Sequence, residues 1–405
     1  MFNSRPSYGR RPARPAGGPA NRGFRPSGSN FRRPNRFMPK SLDPRFFVCA
    51  ATPMTEAEAV ISHAFADFNL HPQVHTNLSN RGMITPTQIQ DRALEHALAG
   101  KDIIGLADTG TGKTATFALP IIQKLLANPN ETCLIVAPTR ELAVQIRDEI
   151  RGLATSLPIY SCVLIGGSDI RRQLDDLRRR PHIYIGTPGR LRDLYNRRAL
   201  NLSATRTVVL DEVDRMLDMG FVKEITELMS FLPKERQTLL FSATLDPKVE
   251  DIARRFLTDP LKISVKNGAT SHNVEQNIIR THGNKMEVLH DLLRKEEFKK
   301  VLIFGRTKHG VEKISIALQN SGFPADAIHG DKRQNQRENV LRKFKANQIS
   351  ILIATDVAAR GIDVKDISHV INYDEPATFE DYTHRIGRTG RAGKQGTALT
   401  FVENI

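Results

Sequence analysis

The sequence predicts an α/β protein: two tandem domains, each built on a parallel β-sheet, joined by a short linker and preceded by a disordered basic tail. Three observations support this prediction. The chain has 405 residues, short apolar runs alternate with amphipathic stretches from about residue 65, and that rhythm breaks between residues 259 and 277. A chain of this length accommodates two or three domains of about 100 to 200 residues. Hydrophobic residues make up 40% of it, enough to fill sizeable cores.

The predicted tail covers residues 1–50 and is rich in Arg, Pro, Gly, Ser and Asn. This composition cannot bury enough apolar area to offset the entropy of ordering. Residues 1–40 contain nine Arg, one Lys and no acidic residue, so they carry +10 of the formal net charge of +15. Such cations would pair with phosphates in a salt-sensitive, sequence-independent way, and the scattered aromatic residues would stack on bases. A tail that only improves solubility fits the composition equally well.

Charge and hydropathy narrow the class of protein. The pI near 9.9 favours an anionic partner such as nucleic acid. No stretch approaches the roughly 18 apolar residues of a membrane span, and the Arg-rich start lacks the apolar centre of a secretory signal. We therefore expect a soluble, cytoplasmic protein; an organelle transit peptide is a weaker alternative, because the start is rich in Pro and Gly. Cys49, Cys133 and Cys162 are odd in number and far apart, which argues against a disulfide framework or a CxxC metal site.

The first domain is predicted over residues 65–258. Short β-rich runs separated by amphipathic helical stretches indicate a parallel sheet covered by helices. The six candidate strands cover residues 102–107, 133–137, 160–165, 182–186, 207–211 and 238–242.

A linker that can hold one strand follows at residues 259–277, where Pro, Gly, Ser and Asn interrupt the pattern. A second α/β series is predicted over residues 278–405. Its candidate strands cover residues 300–305, 325–330, 350–355, 369–373 and 397–402. Two sheets joined by a short hinge would create a cleft.

Residues 107–114, ADTGTGKT, carry a phosphate-binding pattern between a candidate strand and a helical run, which is the context that this motif requires. Gly110 and Gly112 let backbone amides approach phosphates, and the following helix adds its positive N-terminal end. Lys113 would contact the β and γ phosphates, and the Thr114 hydroxyl would bind Mg²⁺. The first position is Ala, where the general pattern has Gly.

Residues 211–214, DEVD, follow another candidate strand, so their acids emerge where open α/β sheets place their ligands. Asp211 suits a contact with Mg²⁺, and Glu212 can orient or deprotonate an attacking water. Such a tetrad is by itself more often an exposed acidic turn. Its position about a hundred residues after Lys113, at a second strand end, favours the catalytic interpretation.

With these two motifs the chain resembles the DEAD-box family of ATP-dependent RNA helicases, within helicase superfamily 2. The resemblance extends from about Phe65 to Ile405. It looks more like the short bacterial subgroup than like large nuclear members. The resemblance implies two RecA-like domains, ATP and Mg²⁺ as cofactors, and RNA as the partner. Departures are modest: Val213 replaces the Ala that names the family, Thr111 stands where Ser is common, and Gly305 lies in a variable motif.

The resemblance also implies the residues of the ATP site. Phe65 would stack on adenine, and Gln90 would hydrogen-bond it, since a carboxamide both donates and accepts. The implied nucleotide-binding residues are Phe65, Gln90, Thr109, Gly110, Thr111, Gly112, Lys113, Thr114 and Asp363, the last on the ribose. The implied catalytic residues are Lys113, Asp211, Glu212, Arg388 and Arg391, the last two acting as arginine fingers on the γ phosphate, with Thr114 and Asp211 on Mg²⁺.

Further short motifs resemble the RNA-facing and coupling elements of the family. The implied RNA-binding residues are Pro138, Thr139, Arg140, Gly167, Thr187, Gly189, Arg190 and Thr355. The implied coupling residues are Ser242, Thr244, Gln334, Arg337 and His384. Each first-domain segment follows a predicted strand, so its amides, hydroxyls and guanidinium groups can face phosphates together. None of these motifs is specific alone; their order along the chain carries the resemblance.

We therefore expect an RNA-stimulated ATPase, a monomer, that opens short RNA duplexes with little sequence preference. The sequence stops soon after the last candidate strand, so we expect no C-terminal RNA-selecting tail. Two alternatives stay open. One is a translocating DNA helicase of the same superfamily; the other is a non-enzymatic RNA-binding protein dominated by its basic tail.

Overall fold

The computed structural model describes residues 43–51, 61–107, 110–265, 273–281, 283–359, 364, 366–390 and 394–403. Residues 41–405 form one compact unit, and its described part contains two parallel β-sheets flanked by helices. The predicted class, α/β with two parallel-sheet domains, is confirmed. We call each sheet with its helices a lobe. Within the described ranges, no helix is long and apolar enough to cross a membrane.

The described strands of the first lobe are β1 (Ile103–Ala107), β2 (Thr132–Val136), β3 (Ser161–Leu164), β4 (Ile183–Gly186), β5 (Thr205–Leu210), β6 (Gln237–Ser242) and β7 (Leu261–Val265). They lie in the order β3-β4-β2-β5-β6-β1-β7, and each neighbouring pair is parallel. The first six overlap the six predicted strands. Strands such as β1 are buried along their whole length, because helices cover both faces of the sheet.

The described helices of the first lobe are α1 (Pro72–Asn80), α2 (Gln88–Leu98), α3 (Lys113–Ala127), α4 (Arg140–Leu153), α5 (Ile170–Arg178), α6 (Pro188–Asn196), α7 (Val213–Asp218), α8 (Val222–Ser230) and α9 (Pro247–Phe256). Side chains cap the N-termini of several of these helices. They accept hydrogen bonds from the first backbone amides, which lack partners within the helix. Thr139 accepts from Leu142 N at α4, and Asp246 accepts from Lys248 N at α9. The helices follow strand ends and thereby bring the loops between them to one edge of the sheet.

The second lobe contains β8 (Val274–Thr281), β9 (Val301–Phe304), β10 (Ala325–Ile328), β11 (Ile351–Ala354), β12 (His369–Asn372) and β13 (Gly396–Glu403). These described strands lie in the order β10-β11-β9-β12-β13-β8, and each neighbouring pair is parallel. The accompanying helices are α10 (Lys285–Leu293), α11 (Lys308–Asn320), α12 (Gln334–Lys345), α13 (Asp356–Ala359) and α14 (Phe379–Ile386). Five of the strands overlap predicted ones, and β8 was not predicted.

The linker differs from the prediction for residues 259–277. Residues 261–265 form β7 and pair with β1 at the end of the first sheet, and residues 274–277 open β8 of the second sheet. β7 carries polar residues at alternate positions and β8 carries Glu275, Gln276 and Asn277 in a row, since each strand lies at a sheet end with one face or edge towards solvent. These polar residues led to the prediction of a linker in this part of the sequence.

The end of the predicted tail also differs. Pro44–Phe47 form a short 3-10 helix, and the Phe47 side chain is fully buried in the second lobe. Burial of this aromatic side chain contributes about 2 to 3 kcal/mol towards ordering the segment, and two backbone hydrogen bonds between Cys49 and Gln276 add to it. The predicted disorder and RNA binding of residues 1–40 lie outside the described residues.

Candidate ATP and RNA sites

The predicted phosphate loop lies between the end of β1 at Ala107 and the start of α3 at Lys113. Gly110 and Gly112 have φ of +88° and +94°, a left-handed backbone that favours glycine. Lys113 is buried, and its ammonium donates to Ala107 O at 3.0 Å, so the side chain folds back over its own loop. Thr111 and Thr114 are half-buried beside it. Thr109 lies outside the described residues.

Asp211 follows β5 and is only 2% exposed. Burial raises the pKa of its carboxyl to about 6, which the nearby Lys113 ammonium opposes and the Glu212 carboxylate reinforces. Its Oδ1 has no hydrogen-bond partner among the described residues. Lys113 and Asp211, predicted from motifs a hundred residues apart, therefore lie close enough for their charges to interact. An unpartnered buried carboxylate oxygen beside a phosphate loop fits a hard cation such as Mg²⁺.

Glu212 is the N-cap residue immediately before α7 and has φ of +53°, an uncommon conformation for a residue with a side chain. Its carboxylate forms a buried ion pair with Arg215 one turn later. This pair holds the Glu212 carboxylate in place, because a buried charge needs a partner. Sequence reasoning missed Arg215; its only signal was its position one turn after the tetrad.

Asp214, the last acid of the tetrad, ties α7 to the end of β6. Its Oδ2 accepts from the backbone amides of Ala243 and Thr244 at 2.9 and 3.0 Å, and its own amide donates to Ser242 Oγ at 3.3 Å. The predicted coupling residues Ser242 and Thr244 are thus hydrogen-bonded directly to the tetrad at residues 211–214. Asp214 was not predicted as a site residue, although it belongs to the same tetrad.

Gln90 is 1% exposed and uses its carboxamide on the protein. Its Oε1 accepts from Thr87 N at 2.8 Å, and its Nε2 donates to Gly112 O at 3.1 Å. Gln90 therefore supports the phosphate loop directly. Phe65 is 4% exposed and packs in the core of the first lobe. Contacts of these two residues with adenine stay predictions.

Arg140, at the start of α4, lies against the loop after β3. A Cβ on Gly167, whose φ is +74°, would clash with Arg140 Nη1, so glycine is what allows the guanidinium to approach. Burial, with the positive charges of Arg337 and Arg190 nearby, lowers the pKa of Arg140. Three guanidinium groups thus converge on one region.

Arg190 follows Thr187, Pro188 and Gly189 at the start of α6. Its Nη1 is buried and has no hydrogen-bond partner among the described residues. Nothing would obstruct a side chain at Gly189, so that position is open. Pro138 and Thr139 are buried at the start of α4. Converging guanidinium groups with spare N–H donors suit phosphate oxygens.

The two lobes meet at Glu141 and Arg337. Arg337 Nη2 lies 2.9 Å from Glu141 Oε2, and both side chains are almost fully buried. Burial raises the pKa of the Glu141 carboxyl, and the facing Arg337 guanidinium opposes that rise. Gln334 begins the same helix, α12, and donates to Glu338 at 3.0 Å. Glu141 was missed by sequence reasoning, although it follows Arg140 directly.

In the second lobe, Thr355 follows β11 and is 9% exposed. Its carbonyl oxygen accepts hydrogen bonds from the amides of Ala358 and Ala359, and these bonds form the first turn of α13. Asp363 and Arg391 lie outside the described residues. Arg388 is 4% exposed, and its Nε donates to His384 O at 3.3 Å. His384 itself lies 3.7 Å from Glu380.

Arg385, three residues before Arg388, was not predicted as a site residue. It is 2% exposed and binds both carboxylate oxygens of Asp356 at 2.5 and 2.8 Å. It also donates to Asp374 O at 2.7 Å and lies over the Phe304 ring. This bidentate pair joins α14 to α13 and so fixes the helix that leads to Arg388.

Comparisons with known proteins agree with this geometry. The family model described as DEAD/DEAH box helicase matches residues 87–252, and the helicase conserved C-terminal domain matches residues 284–393. The "DEAD-box ATP-dependent RNA helicase CshA" of Bacillus licheniformis is 45% identical over 346 residues, which cover 84% of this chain and 70% of that protein. The chain belongs to the DEAD-box family of ATP-dependent RNA helicases. The resemblance drawn from the motifs is thereby confirmed.

A second relative, the "ATP-dependent RNA helicase CshA" of Listeria monocytogenes, is 46% identical over 342 residues, which cover 84% of this chain and 66% of that protein. The chain thus spans about two thirds of the length of these relatives. Among solved structures, S. cerevisiae Dbp5 bound to RNA and ADP BeF3 matches with a TM-score of 0.75 and 29% identity, covering 84% of this chain and 90% of that one. Both lobes take part in this match.

Proposed function

We propose that this DEAD-box protein hydrolyses ATP in response to RNA and uses closure of its lobes to open short RNA duplexes or to remodel RNA–protein complexes. The observation that carries the proposal is the connection between the two sites. Asp214 links the nucleotide-side tetrad to Thr244, while Arg337 of the second lobe pairs with Glu141 beside the RNA-side Arg140. Binding or hydrolysis of the nucleotide can therefore change the positions of the RNA-facing groups through few contacts.

In the proposed mechanism Lys113 leaves Ala107 O and grips the β and γ phosphates, while Glu212 orients and deprotonates the attacking water. Thr114 and Asp211 would hold Mg²⁺, which neutralises charge on the phosphates. Within the described residues no cluster of three or more His, Cys, Asp or Glu side chains forms a complete cage. Mg²⁺ is usually held by one or two carboxylates together with substrate phosphates, so Asp211 and Thr114 would be sufficient protein ligands.

Arg388 and Arg391 would complete the ATP site from the second lobe as arginine fingers. Such groups stabilise charge on the transferred phosphoryl and contribute about 10³ to 10⁵ in rate in other systems. Phe65, Gln90 and Asp363 would select the adenosine moiety. Because the fingers belong to the other lobe, hydrolysis would wait for closure.

RNA would bind along Arg140, Gly167, Arg190 and Thr355, at phosphates and sugars. Contacts to the backbone carry no sequence information directly, so we expect little sequence preference. The TM-score of 0.75 with an RNA-bound and nucleotide-bound relative supports a lobe arrangement close to the working one.

The energy of closure limits the work done in each cycle. Moving a two-state equilibrium from 1:99 to 99:1 takes about 5.5 kcal/mol. Stacking is worth about 1.4 kcal/mol per base-pair step by the DNA average. One cycle would therefore offset only a few base pairs, which favours local, non-processive opening.

The deciding experiment measures hydrolysis of ATP and GTP with and without RNA, and strand displacement from matched RNA and DNA duplexes. We expect RNA to stimulate ATP turnover and only RNA duplexes to open efficiently. Opening of DNA duplexes alone would favour the DNA-helicase alternative. ATP turnover equal to the buffer blank in the presence of RNA would favour a binding protein.

The variant Glu212→Gln tests the catalytic assignment. It keeps the size of the side chain but cannot act as a base, so we expect ATP and RNA to stay bound while turnover falls to background. A matched control is Glu235→Gln, an exposed position in the same lobe. Normal turnover in Glu212→Gln would remove Glu212 from the mechanism.

A further inference from the structure

The segment before the first lobe belongs structurally to the second lobe. Asp43 caps the short helix Pro44–Phe47, and the Phe47 ring inserts with 0% exposure next to Tyr382, their ring centroids 4.8 Å apart. The family models begin only at residue 87, so this segment lies outside the matched helicase regions.

Phe47 completes a small hydrophobic core of the second lobe. The buried members of that core are Phe47, Val274, Tyr382, Ile386 and Ala398. Tyr382 and Ile386 lie on α14. Val274 and Ala398 lie on β8 and β13, the strands beneath that helix. Phe47 is one of only two aromatic rings among them, so much of the apolar contact that holds α14 on the sheet depends on it.

The backbone of the same segment is attached to the sheet. Cys49 and Gln276 exchange two backbone hydrogen bonds of 3.0 and 2.8 Å in an antiparallel bridge. Gln276 lies on β8, the end strand of the second sheet. Its side chain also accepts from Tyr382 OH at 2.8 Å, so the segment, the strand and α14 are joined by hydrogen bonds as well as by packing.

This core lies directly behind the proposed arginine finger. α14 ends at Ile386, a core member, and Arg388 follows two residues later. Gly390 packs so closely on Val274 that a Cβ there would come within 2.6 Å of Val274 Cγ2. The backbone around Arg388 is therefore held between core contacts on both sides, and its position depends on how the core is filled.

We propose that Phe47 is a positioning residue for ATP hydrolysis: by filling the core under α14 it holds Arg388 where the γ phosphate will lie. The inference rests on the proposed role of Arg388. A displacement of about 1 Å at a catalytic group can cost 10²-fold in rate. Because Phe47 is far from the phosphate loop in sequence and belongs to the other lobe, its loss should alter kcat and leave nucleotide binding to the first lobe unchanged.

The test compares Phe47→Ala and Phe47→Leu with Val48→Ala, the 52% exposed neighbour, in the full chain. We expect RNA-stimulated kcat to fall about ten- to hundred-fold in Phe47→Ala, with KM for ATP and affinity for a fluorescent ADP within about two-fold of the unmodified protein. Phe47→Leu, which refills most of the core, should recover most of the rate. Val48→Ala should behave as the unmodified protein.

The double variant Phe47→Ala with Arg388→Ala separates a failure of the proposed role of Phe47 from a failure of the proposed role of Arg388. If Phe47 acts through Arg388, its substitution should cause little further loss once Arg388 is gone. An equal loss in both backgrounds would overturn the positioning role. If Arg388→Ala alone kept full turnover, the proposed finger itself would fail. If Arg388→Ala lost turnover but Phe47→Ala kept it, only the present inference would fail.

Folding is checked by thermal unfolding monitored by circular dichroism. Where Phe47→Ala does not fold, Phe47→Val decides the question, because its smaller side chain leaves part of the core empty and should lower kcat below that of Phe47→Leu at unchanged KM. A Phe47→Val protein that folds and turns over ATP at the full rate would then contradict the proposal.

Discussion

Arg337 of the second lobe and Glu141 of the first form a buried ion pair, with 2.9 Å between Nη2 and Oε2. A buried ion pair is costly to break from one side, because the remaining charge stays buried without a partner. We propose that the contact favours the closed arrangement of the lobes; it lies beside Arg140, which we propose binds RNA. In this proposal, closure and RNA binding share one cluster of charges.

Arg337→Ala should weaken closure. Removing one partner of a buried pair costs about 3 to 5 kcal/mol, more than half of the about 5.5 kcal/mol that a full switch of a two-state equilibrium requires. We expect reduced RNA-stimulated turnover and a lower closed fraction by energy transfer between dyes on the two lobes. Arg342→Ala, an exposed position on the same helix, is the matched control. A closed fraction equal to that of the control would show that the pair does not drive closure.

Glu141 should make stability depend on pH. Burial raises the pKa of its carboxyl above the ordinary 4.5, and Arg337 opposes the rise only in part. A raised folded-state pKa means that the stabilising contribution of this group is present below the unfolded pKa and is lost as pH rises through the folded value. Urea unfolding above about pH 4.5 should therefore show a flatter dependence in Glu141→Gln than in the unmodified protein. Equal slopes in the two proteins would refute this.

Asp214→Ala should separate ATP binding from strand displacement. The substitution leaves the amides of Ala243 and Thr244 without their acceptor, at about 1 to 3 kcal/mol for each group that stays dry. We expect a lower melting temperature, retained ATP binding and lost strand displacement, with Asp214→Asn intermediate because one oxygen can still accept. Asp251→Ala, in an exposed ion pair with Arg255, provides the control. Strand displacement at the normal rate would rule out the coupling role.

Deletion of residues 1–40 tests the basic tail. These residues carry ten cations and no acid, so their removal should lower RNA affinity and flatten its dependence on salt, while the preference for ATP over GTP stays the same. Each phosphate contact on a single strand contributes about 0.7 to the slope of log K against log salt. A tail of equal length with every Arg and Lys changed to Gln controls for chain length. An unchanged slope after deletion would support a tail that only improves solubility.

Local pattern was enough to predict much of the fold and of the ATP site. Buried parallel strands are continuous apolar runs, so strands such as β1 and β5 stand out, and the loops after them carry Lys113 and Asp211. The sequence analysis allowed for only one strand where β7 and the start of β8 lie, because polar residues such as Lys262 and Glu275 interrupt the apolar runs of these sheet-end strands. Arg215 and Arg385 were not predicted as site residues, because the sequence does not distinguish an arginine in a buried ion pair from one on the surface.

The sequence by itself determined the family, the two parallel sheets and the order of motifs along the strands, since these depend on periodicity and on residues that are adjacent in the chain. Tertiary structure alone decided which charges meet. Glu141 and Arg337 are nearly two hundred residues apart, and Phe47 finds its pocket among side chains more than two hundred residues later. Such partners are selected by shape and by the cost of burying a charge or an aromatic ring, and both quantities exist only once the chain has folded.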